Sequence, residues 1–258
     1  MVSFDPGRQR IRMRPAHLGL LGLLAADPAA ANNQPGLDEL RAAGIVAGDL
    51  PVREAAELLA VVAKLRLLIE IETTLGAGLR RHTVWLTPDL GVSAEAAPDN
   101  GEYEYALVVP TMLPFALARI VNLLPLPAPA GARPITVSQE LLNRVTATAE
   151  TDHEAASAEL RAAMAGDPQS AALLGRLITE RRLSWRMTAA WLEPRGQRHI
   201  GSLTVIDAAE AGLWTLTLPT EPDFDDPALE VALAPATAPQ VWQRIVALLP
   251  SQWSEAAS

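Results

Sequence analysis

The sequence predicts an α+β fold made of two copies of one unit, each running helix, three or four antiparallel strands, helix. Three observations carry this. The stretch Pro110 to Pro125, PTMLPFALARIVNLLP, returns 125 positions later as Pro235 to Pro250, PATAPQVWQRIVALLP. The two agree at eight of sixteen places, among them Pro114/Pro239, Arg119/Arg244, Ile120/Ile245, Val121/Val246 and Pro125/Pro250. Each copy follows a short apolar run, Tyr105 to Val109 and Leu229 to Ala234, patterned as a strand. The remaining strand patterns of each half are adjacent and joined by turns too short for a helical crossover, which selects antiparallel pairing over βαβ units.

Each closing segment carries proline in its first turn, where the fixed φ suits a helix and the missing N–H is not needed. A further proline ends it. Leu117, Ile120, Val121 and Leu124 recur at helical spacing, as do Trp242, Ile245, Val246 and Leu249, so each helix is expected to bury one stripe.

From the start of the chain, Arg8, Arg10, Arg12 and Arg14 precede an apolar stretch, Ala16 to Ala26, followed by small residues at Ala29 to Ala31. That resembles a signal peptide with a short apolar core. Asp5 ahead of the basic cluster and His17 at its edge favour a first helix instead, with Leu18, Leu21 and Leu24 inward. Leu37 to Ala43 reads as a short helix ended by Gly44, and Arg53 to Leu65 as a longer one. The period then switches to two over Arg66 to Thr74, with Leu67, Ile69 and Ile71 on one face and Leu68, Glu70 and Glu72 on the other. Gly76-Ala-Gly78 turns the chain into the strand His82 to Thr87. A long connection, Pro88 to Gly101, includes an extended piece at Val92 to Ala96. The proline-rich Pro125 to Pro134 is the expected linker, dividing the chain into halves 1–132 and 133–258. Two helices should follow, Ser138 to about Ala165 with a break near Glu150, and Gln169 to Arg182. Strands return at Leu183–Leu192, His199–Ile206, Leu213–Leu218 and Leu229–Ala234.

Composition narrows the function classes. The chain has 258 residues, no cysteine and four histidines, which excludes disulfides and thiol chemistry and leaves little for a metal site. Its net charge of −9 and pI near 5.0 argue against nucleic acid and against an anionic membrane surface. No apolar segment is long enough to span a bilayer. No phosphate loop, paired-histidine helix or nucleophile elbow is present, so no catalytic residue, metal or cofactor is expected.

Some residues invite a chemical reading and have a plainer one. Asp152-His153-Glu154 are consecutive, so on a helix they diverge and form a solvated face. Arg81-His82 and Arg198-His199 recur at strand starts, either as matched anion contacts or as a remnant of duplication. A small-molecule site or a hydrolase between the halves, with His82 and His199 in it, is the alternative function. Glu70 and Glu72 lie about 7 Å apart along one strand face, and read as a polar sheet surface. Trp185, Trp191 and Trp214 share faces with apolar neighbours and read as core. Trp85 lies opposite Val84 and Leu86, on a face with Thr83 and Thr87. It is either an exposed anchor for a partner or the underside of a covering helix.

The order of these parts resembles the EspG family of type VII (ESX) secretion-associated proteins of actinobacteria. The resemblance rests on Leu37-Asp-Glu-Leu-Arg-Ala-Ala-Gly-Ile-Val-Ala-Gly48, the strand Leu67 to Ile71, Ile120-Val-Asn-Leu-Leu-Pro125, Pro134-Ile-Thr-Val-Ser138 and Ile245-Val-Ala-Leu-Leu-Pro250. It implies a pseudo-two-fold α+β protein whose central antiparallel sheet is flanked by helical bundles. It implies a cytosolic, non-enzymatic chaperone that binds the helical tip of a secretion substrate, a PE–PPE pair or a related small helical protein, and keeps it soluble. Carried over by region, its binding surface points to Thr83, Trp85 and Thr87 on one strand, to Asp89 and Leu90 in the following loop, and to Leu173 and Leu177 on the Ala171 to Leu177 helix.

Overall fold

Alternating apolar and polar residues in both halves resolve into one sheet that runs through the whole molecule. The computed structural model describes residues 1–75, 78–97, 101–126, 132–193, 196–219, 226 and 229–251. Its strands are β1 (Ser3–Asp5), β2 (Arg10–Met13), β3 (Val46–Ala47), β4 (Leu50–Pro51), β5 (Leu67–Leu75), β6 (Gly78–Leu86), β7 (Gly91–Ala96), β8 (Tyr103–Val108), β9 (Ile135–Ser138), β10 (Leu183–Leu192), β11 (Arg198–Asp207), β12 (Leu213–Thr217) and β13 (Glu230–Ala236). Except for the small β3–β4 pair they form one antiparallel sheet in the order β1-β2-β8-β7-β6-β5-β10-β11-β12-β13-β9. The order reads alike outward from the central β5–β10 pair. On each side a four-strand meander ends against a strand from the start of its own half, β2 or β9. The doubling read from the sequence is therefore a doubling about the middle of one sheet, in register at Met187↔Ile71 and Arg186↔Glu72.

Helices cover the two faces unequally. α1 (Pro15–Ala26), α2 (Pro28–Ala31), α3 (Leu37–Ala42) and α4 (Arg53–Ala63) pack on one face of the N-terminal half. α6 (Gln139–Ala149), α7 (His153–Ala163) and α8 (Pro168–Thr179) pack on the same face of the C-terminal half. The opposite face carries α5 (Leu113–Ile120) and α9 (Ala238–Ala247), the two repeated segments. They lie side by side over the sheet centre, where Leu113, Leu117, Val121, Val241, Ile245 and Leu248 close on Leu67, Ile69, Ile71, Trp185, Met187 and Val205. Ile120 and Ile245 thus serve one shared core. Burying each such side chain is worth about 1.5–3 kcal/mol relative to exposure.

Several expectations shift in detail. The stripe of α9 is Val241, Ile245 and Leu248, with Trp242 turned sideways onto Phe115. The long helix after Ser138 is two, because Asp152 accepts hydrogen bonds from the Glu154 and Ala155 N–H groups and starts α7 anew. That cap is also the role of the Asp-His-Glu run. Ile135–Ser138, to which the sequence pattern assigned no element, is edge strand β9. The basic N-terminal cluster is largely strand: Ile11 and Met13 of β2 enter the core while Arg10 and Arg12 pair with Glu104 and Glu102. The apolar stretch after it is α1, which buries His17, Leu20, Leu21 and Leu24. The turn at Gly76-Ala77 and residues 127–131 of the proline-rich linker lie outside the described residues.

Candidate partner-binding surface

Between the two helical bundles no described element covers the middle of the sheet on this face. Here β5 and β10 present Glu70, Glu72, Arg186 and Thr188 outward, and β6 and β11 add Arg81, Thr83, Ser202 and Thr204. Glu70, Arg81, Arg186 and Ser202 are exposed. The strip is charged and self-paired in part: Arg81 donates to Glu72 at 3.0 Å, and Thr83 stands opposite Glu70 in the ladder. Such a floor between apolar walls suits a polypeptide that brings its own polar and apolar groups.

Trp85 flanks this strip and lies between the two readings that the sequence left open, an exposed anchor and the underside of a covering helix. Its ring stacks on Tyr105, centroids 6.5 Å apart and planes within 8°, and it packs against the N-terminal helical core, leaving it half-buried. Burial pushes the Tyr105 hydroxyl up to about 12, so it stays protonated beside the indole. Thr87 holds the next turn. Its N–H and hydroxyl both donate to the Leu90 carbonyl at 2.9 Å, and its Oγ1 accepts from the Leu90 N–H at 3.2 Å. The connection it opens is therefore short, and Gly91–Ala96 within Pro88–Gly101 is β7. Thr87, Asp89 and Leu90 line an open depression of about 610 Å³ against Lys64, Leu65 and Arg66 at the end of α4. On the other bundle, Leu173 is half-buried, but Leu177 is only 1% exposed and belongs to the C-terminal core. It holds α8 in place and offers no surface. The fold thus brings Thr83, Trp85, Thr87, Asp89 and Leu90 to one wall of the strip and Leu173 to the other bundle.

The histidines do not converge. His82 and His199 lie on β6 and β11, three strand spacings or about 14 Å apart across the sheet; His82 is mid-strand, aligned through Ile71 and Met187 with Leu203, whereas His199 lies at the start of β11. His82 is 8% exposed. Its Nδ1 accepts from the Ala96 N–H at 3.2 Å, so the ring proton sits on Nε2, 3.3 Å from Thr73 Oγ1. Burial holds its pKa below the usual histidine value. His199 stacks on Trp191 and lies 2.9 Å from Glu193. A shared site between the halves built on these two is not supported. Among the described residues no group of three or more His, Asp or Glu is placed to hold a metal ion, and no helix is long and apolar enough to cross a membrane.

Residues 8–250 match the EspG family. The chain belongs to that family. Among solved structures it is similar to the Mycobacterium tuberculosis type VII secretion system chaperone EspG5, determined in complex with the PE25–PPE41 dimer. That likeness has a TM-score of 0.59 at 16% identity and covers 94% of this chain and 97% of EspG5. It shows that the EspG fold extends over both halves. No protein of curated description matches the chain. Sequence reasoning missed Tyr105, the partner that half-buries Trp85, and Arg186, the cation at the centre of the strip. The alternation of β8 and β10 carried both residues, but not their neighbours across the sheet.

Proposed function

We propose that the chain is a cytosolic chaperone for a type VII secretion substrate. It binds the tip of a helical client, a PE–PPE-type pair or a related small helical protein, and keeps it soluble. The observation that carries this is membership of the EspG family over nearly the whole chain, in a fold shared with a protein solved around a PE–PPE dimer. The geometry fits such a task. An open polar strip runs between two bundles, with Trp85 and Leu90 on one wall and Leu173 beyond the other. A standard interface of about 800 Å² per partner fits on such a surface. Masking an apolar tip needs neither nucleotide nor catalysis.

The test is co-expression of the chain with PE–PPE pairs encoded in the same genome, followed by size-exclusion chromatography. A stoichiometric complex, and a client that precipitates when expressed without the chain, are the expected results. Clients that stay soluble alone and never co-elute would refute the proposal.

A further inference from the structure

We infer that the outer edge of β11 is a strand-addition site for an extended, acidic segment of a partner protein. This inference goes beyond the helical-client reading and does not depend on it. β11 pairs with β10 along its whole length, from Arg198 to Asp207, but β12 covers only Thr204 to Asp207. Over residues 198–203 every second residue therefore turns its backbone N–H and C=O toward a side on which no described strand lies. An unpaired edge of that kind is a template for another chain.

The edge opens into a notch of about 840 Å³, walled by α6 and by the end of α9. In a chain of net charge −9, none of the described residues lining the notch is acidic. Two of them are exposed arginines, Arg186 and Arg244. Neither makes an ion pair among the described residues, and Glu72, which faces Arg186 in the ladder, is taken by Arg81. The two cations come from opposite faces of the sheet, Arg186 from the open strip and Arg244 from α9. Successive side chains of an added strand point alternately to the two faces. Two neighbouring carboxylates would therefore meet one guanidinium each, while the exposed Ile200 takes a flanking apolar residue.

The experiment measures fluorescence anisotropy of labelled heptapeptides with the full chain. The peptides are TVEDVTV, the charge-reversed TVKKVTV, and TVEDVTV with N-methyl groups on alternate residues. TVEDVTV should bind at least about tenfold tighter than TVKKVTV, and N-methylation should abolish binding by removing the donors that a strand needs. The Arg186→Glu/Arg244→Glu double variant should invert the charge preference. Should that variant fold poorly, Arg186→Gln/Arg244→Gln should erase the preference instead. Equal affinity for the two charge types, indifference to N-methylation, or a peptide that turns helical on binding would overturn the inference.

Discussion

Phe115 and Trp242 meet where the two repeated helices run side by side, their ring centroids 5.0 Å apart and their planes at 50°. They are not equivalents within the repeat. Trp242 corresponds to Leu117, which points into the core, whereas Phe115 is 52% exposed. The contact is therefore where the halves depart from their pseudo-symmetry to grip one another. A double-mutant cycle of Phe115→Ala and Trp242→Ala should give a coupling of about 0.5–1.5 kcal/mol. Urea denaturation of the four proteins measures it, and additive losses would mean that the rings pack independently.

Trp85 sits between two roles, and substitutions can separate them. Because its ring is stacked on Tyr105 but only half-buried, Trp85→Ala should lower stability by about 2–3 kcal/mol, below the range for a large aromatic removed from a full core. Glu70→Arg, fully outward on the strip, should leave stability within about 0.5 kcal/mol and weaken client binding. A thermal midpoint for Trp85→Ala equal to that of the parent would put the ring outside the core.

Asp207 is a buried charge with a full set of partners. Its carboxylate is 4% exposed, pairs with Arg182 and accepts from the Ala209 N–H at 3.0 Å. Asp207→Ala leaves the partly exposed Arg182 to solvent and frees the Ala208–Ala211 turn, in which Ala209 has a left-handed φ of 49°. The expected loss is about 1–2 kcal/mol, read as a shift in the denaturation midpoint at constant slope.

Acid should loosen the fold through His82 and His17. Burial lowers the pKa of both, and in each ring Nδ1 accepts a backbone N–H, from Ala96 and Arg14. Protonation would turn that acceptor into a donor. Groups whose folded pKa lies below the unfolded value contribute stability that is fully present above the unfolded value, near 6.5. That stability is lost as pH falls from there through the folded value. Unfolding free energy should therefore decline from pH 7 toward pH 5, and His82→Gln should flatten part of the slope. An unchanged slope in that variant would remove His82 as a contributor.

Much of the architecture was legible because its signals are local. The repeat at Ile120 and Ile245, the period of two through Leu67, Ile69 and Ile71, and the proline in the first turn of α5 and α9 are properties of a few neighbouring residues. What escaped was signal overlaid on another: Ile11 and Met13 alternate as a strand should, but the arginines between them read as a basic cluster. The candidate surface was legible only by strand and helix. Alternation placed Trp85 opposite Val84 correctly, yet Tyr105 and the α4 bundle, distant in sequence, set its exposure.

By itself the sequence determined two like halves of antiparallel strands and helices, the segments that close each half, and an acidic chain without cysteine. Only the tertiary structure decided that the halves share one sheet through β5 and β10, that two bundles leave a charged strip between them, and that β11 outruns β12. Periodicity fixes which way a side chain points, while what it meets depends on contacts whose partners lie far along the chain.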